Sequence, residues 1–411
     1  MALSPQKITN YINFMVGFVS LFIIPEYKNV RLLNLSVVLS CLILLMLFLI
    51  TKKYRITFKE FTLAVGTFLF FLSTLWGAIN SGIYIGFASS FIFITSFLFA
   101  FLSFKISKEE ALYYSLKGLI YSSIITSVWN ILQFFYYYAT LKPLNKVVFP
   151  EFLLPEEAIY LHFLYLDDKP AIYRSSGFSW DPGLVVPYLV ISTILISEEI
   201  IKVRFKKFFL MLFFIGISIS FSKTSIVGLS MYFILKSLRR LLFTYPIMLA
   251  TPFVLIFLLF LLGFAISPTT SMMSPSNIRH IKYFSEIINI INAPINEIMF
   301  GYGFRGGGYF YNNYISWLKD MGVTFEPGSH QESTLPSFLL WGGAIGLIYW
   351  FFVYCILYFQ SNQKTKLLLL TLIFLFFGYY ISSPMLYIII FGIALININK
   401  YQYKNLKLCA V

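Results

Sequence analysis

Charge is what this 411-residue chain has least of: 31 Lys and Arg with 17 Asp and Glu make up only 12% of it. A soluble globular chain carries about 25%. Such poverty of charge excludes a soluble enzyme, a disordered chain and a nucleic-acid-binding domain. Cysteine is nearly absent. Cys41, Cys355 and Cys409 fall in apolar segments or the C-terminal tail, so no external disulfide framework is expected. Histidine is as scarce. His162, His280 and His330, with the pair Asp167-Asp168, lack metal-ligand spacing, so no metal is expected. Nucleotide-loop chemistry is excluded too, because no Gly-Lys-Ser/Thr follows the glycine-rich stretch from Phe300 to Tyr309. No Ser-His-Asp order and no paired glycosidase carboxylates stand out, and no cofactor is expected. The first apolar segment is followed by Pro25-Glu26-Tyr27-Lys28 without an A-x-A-like cleavage site, so it is expected to be retained.

What is there is apolar. Hydrophobic residues make up 59% of the chain and aromatics 20%, with 47 Phe and 29 Tyr. A bilayer core of about 30 Å takes about 20 apolar residues per helix. The pattern predicts an all-α polytopic membrane protein, a single integral domain over residues 1–411. It has about twelve transmembrane helices (ten to twelve) at 8–24, 30–50, 61–79, 83–104, 111–139, 182–197, 208–222, 225–241, 244–266, 334–359, 367–382 and 385–398. The net charge of +14 imitates a nucleic-acid signal, but its distribution is that of membrane orientation. With the N-terminus inside, the clusters Lys52 to Arg55, Lys202 to Lys207, Lys236 to Arg240, Lys364/Lys366 and Lys400 to Lys407 all share the inner side. The outer side is then close to neutral, and the basic side faces the anionic leaflet. Both termini are expected in the cytoplasm, and membrane lipids are expected partners.

Two loops are too long to be connectors, 140–181 and 267–333, and this topology puts both outside. Work is expected there. The first ends in Arg174-Ser175-Ser176-Gly177-Phe178-Ser179-Trp180-Asp181-Pro182. Asp181 before Pro182 reads as an N-cap and first helical position, leaving a positive helix mouth that favours an anion. Arg174 either clamps a phosphate there or pairs with Asp167 or Asp168. The second loop opens with an amphipathic helix over 276–291, whose polar stripe contains Arg279, Lys282, Glu286 and Asn289. That stripe is either a solvated face or looks into a cavity shared with Arg174. Arg305 lies in the glycine-rich stretch, where glycines let backbone approach a ligand closely. His330 precedes a helix capped by Ser333 or Thr334, a setting that favours its neutral, basic ring; it serves as a base or as a structural hydrogen bonder. Tyr302, Phe304, Tyr309, Trp317 and, near the first loop, Trp180 offer aromatic faces on which sugar rings stack. Arginines bind phosphates bidentately. Together these residue types point to a lipid-linked, phosphate-bearing glycan.

The same segments resemble bacterial O-antigen polymerases of the O-antigen polymerase/ligase superfamily. The matching pieces are Arg174-Ser-Ser-Gly177-Phe178 with Asp181-Pro182, then Phe221-Ser222-Lys223-Thr224-Ser225 at an outer turn. Phe300-Gly301-Tyr302-Gly303 follows, and His330 precedes a span with Gly342-Gly343-Ala344-Ile345-Gly346. The resemblance covers roughly residues 170–350. It implies a GT-C-like inner-membrane glycosyltransferase that joins undecaprenyl-pyrophosphate-linked oligosaccharides at the periplasmic face by metal-independent, inverting transfer. A chain-length regulator protein is a further implied partner. By the resemblance, Arg174, then Arg279, Arg305 and Lys223, handle the pyrophosphate. His330, or Glu326 or Glu332 nearby, takes the proton of the incoming hydroxyl. Lys223 stands where relatives often have Arg, and Gln331 where they often have Asn. Alternatives are an O-antigen ligase delivering glycan to lipid A–core, a flippase, and a metal-dependent oligosaccharyltransferase. A flippase needs ionisable groups deep in the spans, for which Lys117 is the clear candidate.

Overall fold

A computed structural model describes residues 4–22, 26–27, 30–51, 55–150, 163–166, 169–179, 182–239, 293–304, 306–314, 334–378 and 384–399. These residues are mostly helical. The helices are α1 (Pro5–Val19), α2 (Leu32–Thr51), α3 (Phe58–Asn80), α4 (Ile85–Ser107), α5 (Glu109–Thr140), α6 (Leu144–Val148), α7 (Pro182–Ser197), α8 (Lys206–Ile219), α9 (Lys223–Ser237), α10 (Ile295–Phe300), α11 (Gly307–Tyr314), α12 (Thr334–Gln360), α13 (Gln363–Gly378) and α14 (Pro384–Asn399). Two short antiparallel hairpins complete them, β1 (Glu26–Tyr27) with β2 (Val30–Arg31), and β3 (Phe163–Leu166) with β4 (Lys169–Tyr173).

Every expected apolar segment except 244–266 overlaps a described helix. That segment and the amphipathic helix expected over 276–291 lie outside the described residues. Among the described residues, five helices are long and apolar enough to cross a membrane: Leu32–Thr51, Phe58–Asn80, Gly86–Ser107, Glu109–Thr140 and Leu340–Phe359. The others among the expected spans are shorter. α7 and α14 have 16 residues each, and are nearly wholly buried. At 1.5 Å per residue they measure about 24 Å, less than the bilayer's apolar thickness. A helix wrapped in protein has no need to match the lipid. By contrast α2 has only 17% of its window buried and presents Leu39, Leu42, Met46 and Ile50 outward. The β3–β4 hairpin lies within the first of the two long loops, for which the sequence predicts short helices. Its pairing is backbone to backbone, with a bulge between Leu164 and Tyr165, and has no periodic apolar signature.

Polar contacts fix the directions of the helices. α1 and α5 run parallel: Gln6 and Asn10 donate to Glu110 at 3.0 and 2.8 Å, and Asn13 accepts from Ser115 at 2.9 Å. Any side chain at Gly17 would strike the Ser115 carbonyl, and any at Gly118 the Phe14 carbonyl, so two glycines set the closeness of this pair. At the same end, buried Glu60 of α3 pairs with Lys105 of α4 at 2.6 Å and accepts from Asn399 of α14 at 3.1 Å. A second knot there joins Glu198, just past α7, to Lys236 (2.9 Å), Tyr232 (2.7 Å) and Arg239 (3.5 Å) of and beyond α9. Among the described residues, this end also carries Arg55, Lys206, Lys236, Arg239 and Lys364. The opposite end carries residues 141–150 and 169–179, the turn 219–223 and the segments 293–304 and 306–314.

α12 is broken. Gly343 has φ 59° and ψ −148° inside the helix. The carbonyls of Leu340 and Trp341 accept instead from the N–H groups of Tyr302 (2.6 Å) and Gly303 (3.1 Å). Ser73 of α3 donates to Gly342 O at 2.8 Å and to Phe300 O at 3.2 Å. Backbone groups freed by a helix break within an apolar bundle are thus satisfied by protein, as a low-dielectric setting requires.

Candidate functional site

Arg174 stands at the end of β4, where the first long loop turns toward α7. Its Nε donates to Ser220 O at 3.4 Å, and the N–H of Ser175 donates to Ile219 O at 3.3 Å. The loop end is therefore laid against the turn between α8 and α9, and two motifs separated by about forty residues of sequence meet. In that turn Phe221 has φ +45°, a strained conformation for a non-glycine residue. Ser222 precedes α9 without a side-chain cap. Lys223 is the first residue of α9, so its backbone stands beside the Arg174 loop.

α7 and α9 run parallel. Tyr232 on α9 meets Ser197 at the far end of α7 at 2.8 Å, and both helices begin at the end where Arg174 lies. α7 is described from Pro182 onward, and Asp181, expected to cap it, lies outside the described residues. The positive dipole ends of two helices therefore lie on the side of one guanidinium. That combination favours an anion with several acceptor oxygens. Tyr173, beside Arg174, is buried and stacks on Tyr137 with centroids 4.2 Å apart. Burial, and then the Tyr137 phenol, push its phenol well above the ordinary tyrosine range, so it stays neutral.

The loop backbone is gripped from below by α5 and α6. Gln133 accepts from the N–H groups of Ser176 (3.1 Å) and Gly177 (3.0 Å), and donates to Gly177 O (2.9 Å). Asn145 donates to Gly177 O (3.0 Å) and Ser179 O (3.2 Å), and accepts from Trp129 Nε1 (3.0 Å). Phe178 stacks on Trp129 at 4.9 Å and leans on Phe22 at 4.8 Å. Sequence reasoning passed over Gln133 and Asn145. The available signal was a carboxamide at position 133 within a strongly apolar helix, where a polar group needs a partner.

The glycine-rich stretch behaves otherwise than expected. Its glycines admit helix backbone, not a ligand. A side chain at Gly301 would strike Leu340 O, and one at Gly303 would come within 2.6 Å of Ala78 N. Tyr302 and Phe304 are fully buried. Phe304 packs on Trp341 at 4.5 Å and on Phe93 at 6.0 Å, and Tyr302 on Phe310 at 5.3 Å. Rings enclosed in this way offer no face to a sugar, so the stacking role expected of these two is withdrawn. Nearby Glu297, also missed from sequence, is buried at the outer end. Burial, and then its negative charge, raise the Tyr309 phenol's pKa.

Trp180, Arg279, Arg305, Trp317, Glu326, His330 and Glu332 lie outside the described residues. Of the expected site residues, Arg174 rests on Ser220 in the turn that leads to Lys223, and Tyr302 and Phe304 belong to the packing around the α12 break. Among the described residues no group of three or more His, Cys, Asp or Glu could hold a metal ion. Comparison of the chain with family models, curated proteins and solved structures finds no match in any of the three.

Proposed function

We propose that this chain is a surface-polysaccharide polymerase: a membrane glycosyltransferase that joins undecaprenyl-pyrophosphate-linked oligosaccharide repeat units. In this reading the protein lies in a bacterial inner membrane as a GT-C-like bundle of ten to twelve spans. Both termini are cytoplasmic and the active face is periplasmic. One observation carries the proposal: Arg174 rests on the Ser220 turn at the end of the bundle where α7 and α9 begin. A guanidinium above two positive helix ends suits a diphosphate leaving group.

The chemistry follows from that placement. Diphosphate leaves readily once its growing charge is met, so the clamp supplies stabilisation rather than protonation. Bond formation joins the acceptor hydroxyl oxygen to the anomeric carbon of the donor sugar. The anomeric carbon–oxygen bond to the diphosphate breaks, and the polyprenyl diphosphate departs. The hydroxyl proton passes to a base, for which His330, Glu326 and Glu332 are the proposed groups.

Lipopolysaccharide gel profiles of a deletion strain carrying variants test this. Arg174→Lys keeps the charge but loses the planar two-pronged geometry. Most high-molecular-weight ladder should disappear while single repeat units stay attached. An undiminished ladder removes Arg174 from the clamp. Loss of single units as well favours a ligase.

A further inference from the structure

The Arg174 loop is held by two carboxamides to which the chemistry above assigns no part. Gln133 is fully buried in α5, and its three hydrogen bonds all go to the backbone of Ser176 and Gly177. Asn145, 1% exposed, takes the other side through Gly177 O and Ser179 O, with its oxygen fixed by Trp129. Ser176 Oγ closes the turn by donating to Ser179 O at 2.6 Å. Phe178, stacked between Trp129 and Phe22, already supplies apolar anchorage. What the carboxamides add is direction. Each bond constrains the peptide planes that immediately follow Arg174, on the side opposite its contact with Ser220.

An amide inside an apolar bundle is costly unless all its groups are paired. Gln133 pairs with the loop backbone alone, and Asn145 joins that backbone to Trp129 of α5. We propose that Gln133 and Asn145 are positioning residues that set the plane of the Arg174 guanidinium against the start of α9. The proposal rests on the reading of Arg174 as the diphosphate-binding group. Backbone orientation at 175–177 fixes where the Arg174 side chain begins, and two-pronged recognition of a phosphate is intolerant of rotation.

A double-mutant cycle tests it, with the purified full chain in lipid nanodiscs and a synthetic polyprenyl-diphosphate-linked repeat unit as donor. The variants are Gln133→Leu, Gln133→Glu and Asn145→Asp, each alone and combined with Arg174→Lys. Quantity and melting temperature of every variant are recorded beside kcat and KM. Gln133→Leu should lower kcat/KM for the donor on the order of 100-fold. Gln133→Glu still accepts from Ser176 and Gly177 and should retain more activity than Gln133→Leu. With Arg174→Lys, whose ammonium has no plane to orient, the Gln133 change should add little. Equal fractional losses in both backgrounds, or unchanged kinetics, overturn the proposal. Should Gln133→Leu fail to accumulate, Asn145→Asp carries the same cycle, because it keeps the bond from Trp129 and loses its donor. If Arg174→Lys alone leaves kinetics intact, the reading of Arg174 fails and this proposal falls with it. If Arg174→Lys is crippled and Gln133→Leu is not, this proposal alone fails.

Discussion

Gly177 shows how narrowly the Arg174 loop is specified at the scale of one residue. Its φ is +64°, and a Cβ there would sit 2.6 Å from Thr126 Cγ2. Both the conformation and the space demand glycine. Gly177→Ala should cost about 1–3 kcal/mol of local stability from backbone strain alone. Because the strain falls between the two anchors of the loop, limited proteolysis should cut near 174–179 faster in the variant than in the parent. Equal cleavage would mean that the loop tolerates a different path. Arg174 itself was legible from sequence, since an arginine ahead of Asp181-Pro182 reads as a cation beside a helix mouth. Gln133 was not legible. Its partners lie more than forty residues away along the chain, and nothing in the neighbouring residues announces them. Tyr302 and Phe304 show the reverse. Aromatics among glycines read as an open platform, but the glycines there serve to bring Tyr302 and Phe304 into the bundle, where the broken α12 takes up their backbone.

Elements are fixed chiefly at the basic end of the bundle. Thr57 and Glu60 form a reciprocal cap at the start of α3, with Thr57 N donating to Glu60 at 2.7 Å and Glu60 N to Thr57 Oγ1 at 3.2 Å. Glu60 then binds Lys105 and Asn399, so one carboxylate ties α3, α4 and α14. Its side chain is 1% exposed. Lys105→Met would strand that charge, and loss of one partner of a buried pair costs about 3–5 kcal/mol. A clear drop in melting temperature should follow in detergent, and an unchanged one would show that Asn399 and the cap suffice. Glu198 forms the second knot. Burial opposes its charge, but hydrogen bonds from Lys236 and Tyr232 and the charges of Lys236 and Arg239 outweigh it and hold its carboxyl below the ordinary 4.5. A lowered folded-state pKa stabilises the protein above the unfolded value and is lost as pH falls through the folded one. The α7–α9 knot should therefore be intact at neutral pH and loosen only below about 4.5. Glu198→Gln should flatten the acid limb of a melting-temperature profile, and an unaltered limb would assign acid sensitivity elsewhere. The helices themselves were largely legible. The break at Gly343 was not, because its partners are the N–H groups of residues 302 and 303, which no local pattern near 343 reveals.

Across the whole molecule, the two ends differ in kind. One end is knotted by Glu60, Glu110 and Glu198 with their cationic and amide partners. The other end carries the described parts of the first long loop, the strained turn at Phe221 and Arg174. In the proposed reading, substrates reach the second side already activated by their diphosphate. The most direct measurement is polymer formation by the purified full chain in lipid vesicles. It is supplied only with a polyprenyl-diphosphate-linked repeat unit and a chelator. The account predicts a ladder of glycan lengths with the parent protein and none with Arg174→Ala of equal melting temperature. No ladder from the parent, or the same ladder from Arg174→Ala, would contradict it.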